Sequence, residues 1–359
     1  MTSTRRRRPT LDDVADAVGV SRATVSNAYN RPDQLSAQLR EQVLRTAKDL
    51  GYPGPNPTAR SLATSRTGAI AFMLDTSLSA AFSDPALTIT LDALATAVDV
   101  DGHALLLLPG GPQGGPAAER VLAAQADIAV AYSLADGSPA LDAVRERGLP
   151  LVVIDQPLVP DAARIGCADR PGAAMAARHL LALGHRRFGV FSAQCLSAPR
   201  GAELTPEAAR ASAFHDTRER LAGYLDTLAE AGIPAADVAI WEASGISAAG
   251  AMASAFGLLD RTPRPTALLC MSDQLALAAI AVARQLGIDV PGELSVVGFD
   301  DTPPARWSEP PLTTVRQDLA GKGRIAGELV LHLLGGGDVP TPAEVPVELI
   351  LRASTGPAR

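Results

Sequence analysis

The sequence predicts a two-part fold. A small all-α helix-turn-helix headpiece is followed by a long α/β body of two doubly wound lobes. Three observations carry this. Charge is split along the chain: residues 1–66 hold eleven Lys/Arg against six Asp/Glu, net +5, which leaves −12 for the remainder. Residues 10–52 hold three short segments of helical apolar periodicity, separated by Gly19 and a polar turn. From Gly68 onward, short apolar runs alternate with helical runs, the pattern of parallel sheets covered by helices.

Size and charge bound the answer. At 359 residues the chain is long enough for two or three domains. A net charge of −7 argues alone against a nucleic-acid partner, but the split reverses that argument. A basic head on an acidic body is expected where only the head meets a polyanion. Cys167, Cys195 and Cys270 are too scattered for a disulfide framework, and Cys270, inside "ALLCM", reads as a small buried hydrophobe. No apolar segment follows the basic N-terminus, and no stretch approaches the roughly 20 apolar residues that cross a bilayer. The expectation is a soluble cytoplasmic protein with no membrane partner.

The first helix is "TLDDVADAVGV". Leu11, Val14, Ala15 and Val18 share a face, Thr10 caps it, and acidic residues occupy its first turn. Gly19 breaks it, and Ser21 caps the second helix, "SRATVSNAYN". There Val25 and Ala28 point inward, and the other faces carry short polar tips that can enter a major groove. Amides at its N-terminus suit a phosphate. The third helix, "SAQLREQVLRTAKDLGY", turns Leu39, Val43, Leu44, Ala47 and Leu50 inward.

The run "TLDDVADAVGVSRATVSNAYNRPDQLSAQLREQVLRTAKDLGY" resembles the headpiece of the LacI (lactose-repressor-like) family of bacterial transcription regulators. The similarity continues through "PNPTARSLATSRTGAIAF", which resembles that family's hinge segment. The resemblance implies roles. Arg22, Ala23 and Asn27 stand where family members touch base edges: Arg suits guanine, Ala a thymine methyl, Asn adenine. Thr10, Thr24, Ser26 and Asn30 are implied phosphate contacts, with capping and helix solubility as the alternative, and Ser21 joins the DNA-binding candidates as the cap of the helix whose free amides suit a phosphate. In the hinge, Leu62 matches a leucine that wedges into the minor groove when two copies meet, with Asn56, Ala59 and Arg60 beside it. The alternative is a Pro-rich linker. The implied boundaries are a headpiece over 1–54, a hinge over 55–67 and an effector-binding, dimerising body over 68–359.

The body's strands read as "GAIAFML", "HALLLLP", "IAVAY", "PLVVID", "RFGVFS", "ALLCM" and "LSVVGFD". About ten strands overfill one sheet, so two lobes are expected. This resembles the periplasmic-binding-protein type I fold with which family members clasp a small ligand between lobes. Ligands bind past the carboxyl ends of such strands. Asp75, Asp155, Ser272, Asp273 and Asp300 stand there as effector candidates, each with helix capping as the competing role. "VVGFDD" with "PPLTTVRQD", and "RERLAGY", resemble family cleft segments and imply roles for Asp300 and Arg220. Phe82 and Trp307 are the aromatics best placed to stack on a flat ligand, ahead of Tyr132. Residues 192–217 form a lid, a pocket wall or a surface loop, the last favoured. "GGPQGG" reads as a turn.

Catalysis finds no support. The five His have no metal-ligand spacing, "GISAAG" is not a nucleophile elbow, and no dinucleotide fingerprint follows a strand. No metal or cofactor is expected. His185 reads as a helix-end His favoured by the dipole. The sequence thus predicts a ligand-responsive repressor of operator DNA, not an enzyme. It is expected to act as a homodimer, because one headpiece reads only a half-site. The effector is a sugar or related metabolite, acting as inducer or corepressor. The alternatives are a solute-binding protein without a gene-regulatory role and an architectural DNA binder with a dead sensor.

Overall fold

The computed structural model describes residues 9–30, 32–54, 66–111, 115–196, 201–245 and 248–359. By its internal contacts the chain divides into two units, Met1–Thr67 and Gly68–Arg359.

The first unit holds α1 (Leu11–Val18), α2 (Arg22–Asn30) and α3 (Ala37–Leu50). Local chemistry sets five of these six boundaries. Thr10 and Asp13 form a reciprocal capping box. Gly19 closes α1 at φ 77° and Gly51 closes α3 at φ 73°, a left-handed turn that glycine makes without Cβ strain. The Ser21 hydroxyl accepts the Thr24 amide at 3.0 Å, and Ser36 caps α3. Val14, Ala15, Val25, Ala28, Val43 and Ala47 make the core, with Leu39 packed against it. Leu50 is 40 % exposed instead, because it falls on the last residue of α3 beyond the facing helices.

The second unit has two sheets. The first runs β12–β5–β4–β3–β1–β2, all parallel: β1 is Ala69–Leu74, β2 Ala104–Leu108, β3 Ile128–Tyr132, β4 Leu151–Ile154, β5 Ala163–Cys167 and β12 Ala343–Val345. The second runs β13–β11–β10–β9–β6–β8–β7: β6 is Phe188–Ser192, β7 Glu203–Leu204, β8 Ala239–Glu242, β9 Ala267–Cys270, β10 Ser295–Asp300, β11 Thr313–Gln317 and β13 Val347–Ile350. Its two edge strands, β7 and β13, are antiparallel to their neighbours. The chain passes between the lobes three times: after β5, after β11, and between β12 and β13.

Helix Leu319–Leu334 leaves β11 and lies on helix Pro85–Asp99 of the first lobe. Their approach depends on Gly323 and Gly327. A Cβ on Gly323 would collide with the Thr90 carbonyl, and one on Gly327 with Ala97. Gly323→Leu should therefore destabilise the body by on the order of 3 kcal/mol. Urea denaturation tests this, and an unchanged midpoint would mean the helices do not pack this closely.

Residues 192–217 are not the surface loop favoured above. Beyond 197–200, which lie outside the described residues, the segment supplies β7, helix Pro206–Arg210 and the start of helix His215–Glu230. Buried Glu242 accepts the amides of Cys195 (2.7 Å) and Leu196 (2.8 Å), and Trp241 Nε1 donates to the Gly201 carbonyl at 3.1 Å. His185 is likewise a structural residue. It is buried, with hydrogen bonds to Thr266, Ser295 and the Gly356 carbonyl, and burial lowers its pKa. A neutral ring gains nothing from a helix dipole. All three cysteines are buried and free. Among the described residues, no cluster of His, Cys, Asp or Glu could hold a metal, and no helix is long and apolar enough to cross a membrane. Of "GGPQGG", 112–114 fall outside the described residues; Gly111 donates to the Gly115 carbonyl at 2.9 Å.

Candidate functional site

In the headpiece, Ser21, just before α2, is exposed, and α2 presents Arg22 and Ala23 exposed and Thr24, Ser26 and Asn27 half-buried. Asn30 ends the helix. Arg22 lies 3.6 Å from Asp12 with both side chains in solvent, a pair weak enough to give up for a base edge. Asn27 Nδ2 donates to Gln34 Oε1 at 3.2 Å. Ser21 and Thr24 share a hydroxyl hydrogen bond of 2.8 Å. The Thr10 hydroxyl donates to Asp13 Oδ2 at 2.7 Å, so its proton is committed to the capping box, and Thr10 is foremost a cap. Asn56, Ala59, Arg60 and Leu62 lie outside the described residues.

In the body, both sheets direct their carboxyl ends at one cleft of about 190 Å³. Asp75 stands past β1, Tyr132 and Ser133 at the end of β3, Asp155 past β4, Ser272 past β9, Asp300 at the end of β10 and Gln317 at the end of β11. This is where ligands bind in open α/β sheets. Ser133, Asp155 and Asp300 have φ of 51°, 65° and 116°; such backbone strain gathers where function requires it.

A chain of charges spans the cleft floor. Lys322, from the helix on the first lobe, is 1 % exposed. Its Nζ donates to both Asp155 oxygens (2.6 and 2.7 Å) and to Gln317 Oε1 (2.6 Å). Burial alone would lower its pKa, but Asp155 more than offsets this and holds it up at about 12. Gln317 Nε2 donates to Asp300 Oδ1 at 2.6 Å. Arg220, on helix His215–Glu230, donates from Nε to Asp169 (2.7 Å) and from Nη1 to the Met271 carbonyl (2.5 Å). Its guanidinium carbon sits 3.8 Å over the Phe299 ring, and Asp300 is 4.0 Å away.

Burial dominates the acids. It pushes Asp300 up to about 8 against the opposing pull of Arg220, and Asp75 up to about 7. Asp84, the cap of helix Pro85–Asp99, is also raised by burial, against hydrogen bonds from the Ala86 and Leu87 amides. The lobes are linked across the cleft. Gln274 Nε2 donates to the Ser83 carbonyl (2.8 Å), the Asp216 amide to Gln156 Oε1 (2.8 Å) and Arg218 to Asp136 (2.6 Å).

The cleft brings together Asp75, Asp155, Arg220, Ser272 and Asp300. Ser272 also caps helix Asp273–Gln285, so the two roles coexist. Three expected contacts are elsewhere. Asp273 is fully buried beneath the site, where its oxygens accept from Thr302 and Thr314 and tie the helix start to the loop after β10 and to β11. Phe82 is 59 % exposed and Trp307 83 % exposed, and neither lines the cleft. Phe82 follows helix Leu78–Ala81 and borders a small apolar cavity with Leu78 and Leu91 instead, and Trp307 ends helix Pro303–Trp307. Tyr132, stacked on Phe72 with ring centres 6.0 Å apart, is the aromatic that does line it.

Sequence reasoning missed Asp84, Gln156, Asp216, Gln317 and Lys322. Asp216 carried a usable signal, since it stands one helical turn before Arg220 on the same face. Lys322 carried none: a lysine in "LAGKGRIAGEL" reads as solvent-facing.

The comparisons follow the same division. Residues 10–56 match the model of bacterial regulatory proteins, lacI family, and residues 177–355 that of the periplasmic binding protein-like domain. An HTH-type transcriptional regulator of Mycolicibacterium smegmatis is 40 % identical over 98 % of this chain and 97 % of its own. Among solved structures, the lac repressor dimer bound to operator and the anti-inducer ONPF superposes with a TM-score of 0.76 at 27 % identity, covering 98 % of this chain and all of the other. The transcriptional regulator CelR in complex with cellobiose gives 0.68 at 28 %, covering 97 % and all of the other. With a three-helix headpiece, a two-lobed body and a relative of this identity over almost its whole length, the chain belongs to the lacI family of ligand-responsive, DNA-binding transcriptional regulators.

Proposed function

We propose that the chain is a repressor acting as a homodimer. Two headpieces read the halves of a near-palindromic operator, and a polyhydroxylated small molecule in the cleft sets the fraction of chains that grip DNA. The observation that carries the effector half is the convergence of Asp75, Asp155, Asp300 and Arg220 on one cleft from both lobes. Carboxylates and a guanidinium at fixed positions suit a ring of hydroxyls, which both donate and accept. The CelR relative was solved with a disaccharide, and the lac repressor relative as a dimer on operator, which supports both halves by analogy. A ligand held by both lobes favours one interlobe angle. Through the three connecting segments it shifts the population able to bind DNA.

The test is selection of genomic fragments by the purified full-length chain, followed by fluorescence anisotropy. A near-palindromic site should emerge, with affinity falling steeply as salt rises. Arg22→Ala should weaken that site by about 1–3 kcal/mol and relax one position of each half. Absence of sequence-selective retention, with or without sugars, would sink the reading.

A further inference from the structure

Residues 201–218 of the second lobe reach the first lobe beside the cleft. They are rooted in their own lobe. β7 pairs antiparallel with β8, the Glu242 amide donates to the Ala202 carbonyl at 2.9 Å, and Trp241 Nε1 holds the Gly201 carbonyl. Arg261 meets Glu203 at 2.7 Å. Helix Pro206–Arg210 then carries the chain to buried Ser212, and the Ala213 amide donates back to the Cys195 carbonyl at 3.3 Å.

The far end is fastened to the other lobe. Asp136 follows β3, in the first lobe. Its amide donates to the Ala213 carbonyl at 2.8 Å. Its carboxylate accepts from Arg218 Nη1 at 2.6 Å, and the same nitrogen donates to the Ser212 carbonyl at 2.6 Å. Arg218 therefore ties the segment to itself and to the first lobe at once. The two side chains are 30 and 41 % exposed, so water screens the pair only in part, and charge strengthens its hydrogen bond. The Asp216 amide adds a third tie, to Gln156 Oε1 at 2.8 Å. An amide in the first turn of a helix has no carbonyl of that helix to meet, and here the opposite lobe supplies one acceptor. Phe214, between these ties, is buried and walls the cleft. Parting the lobes must break all three bonds beside it. An interlobe angle held by a ligand alone would follow occupancy alone, whereas this chain contributes part of the closure itself.

We propose that residues 201–218 form a clasp, and that Arg218 and Asp136 are positioning residues whose pairing sets how often the lobes part. Its regulatory role rests on reading the cleft as the effector site, but the clasp is measured without that reading.

The experiment is residue-resolved hydrogen exchange by mass spectrometry, on the full chain with no small molecule added. It compares wild type, Arg218→Gln, Asp136→Ala and the double variant, corrected for intrinsic rates. The amides at 136 and 216 report the lobe-to-lobe bonds, and the Glu242 amide reports the root. Each single variant should speed exchange at 136 and 216 by at least about fivefold. The double variant should stay within about twofold of the faster single, because both changes remove one bond. Exchange at Glu242 should stay as in wild type, whereas general loosening of the lobe would raise it. Unchanged exchange at both lobe-to-lobe amides, multiplied acceleration in the double variant, or equal acceleration at Glu242 overturns the clasp. Its failure is separable from that of the proposed function. If exchange responds as stated but no small molecule alters operator binding, the clasp stands and the effector reading falls. If a small molecule alters operator binding and exchange does not respond, the clasp alone falls.

Discussion

Lys322→Ala should destabilise the body by about 3–5 kcal/mol, a fall in Tm on the order of 10 °C. The ammonium makes three hydrogen bonds and has no solvent to replace them. Its removal strands the Asp155 carboxylate, itself buried, beside Gln317 and the cleft. The cost comes from that uncompensated charge more than from the lost pair. Hence Lys322→Met combined with Asp155→Asn should be far milder than the two single changes summed. Denaturation of the four proteins in a double-mutant cycle measures this. Near-additive losses would show that the two side chains act independently, contrary to the geometry. The pair also has a functional reach. Lys322 belongs to a helix on the first lobe, and Gln317 ends a strand of the second, so the bond network crosses a connecting segment. Surviving variants should therefore respond to effector at altered concentration.

Arg220→Ala should abolish the effector response and leave operator affinity unchanged. The guanidinium is the one cation lining the cleft among the described residues, and it is ordered by Asp169, the Met271 carbonyl and the Phe299 ring. Truncation also removes the nearest cation from Asp169 and Asp300, so some stability is lost with the response. Asp300→Asn separates the two effects. The folded state holds the Asp300 proton up to about pH 8, whereas an unfolded aspartate releases it near about pH 4. Below pH 4 both states are protonated. From there to pH 8 only the folded state is, so wild-type stability falls as pH rises and levels off above pH 8. Asp300→Asn should flatten that decline while still impairing the response. Calorimetric Tm from pH 5 to 8, beside anisotropy with a bound sugar, checks both. An equal slope in the variant would mean that Asp300 ionises normally in the fold.

How much of this was legible in the residues differs by region. The headpiece could be read almost whole. Its boundaries are local events, a Thr10 box, a Ser21 cap and a Gly19 turn, each set by neighbours within four residues. The apolar strands β1, β3, β4, β6, β9 and β10 were legible because burial on both faces demands unbroken hydrophobic runs. Strand β5 was not: "ARIGC" buries Arg164, whose Nε donates to the Asp155 carbonyl at 2.6 Å, and no local rule foresees that partner. The edge strand β2 was legible too, as "HALLLLP", whereas β8, β11 and the edge strands β7, β12 and β13 were missed for similar polar or brief composition.

The site divides in the same way. The sequence by itself determined that carboxylates stand at strand ends and that a resemblance singles out Arg220, because strand, turn and cap signals lie within a few residues of each other. Only the tertiary structure decided which of those carboxylates share a cleft. It sent Asp273 into the core to hold Thr302 and Thr314, and left Phe82 and Trp307 facing solvent. It brought Lys322 to Asp155 across 167 residues, and Asp216 to Gln156 across 60. Such pairings depend on three passages of the chain between two sheets, and burial there turns ordinary side chains into perturbed acids and committed cations. Periodicity reports which face of an element is apolar, but not what that face will meet.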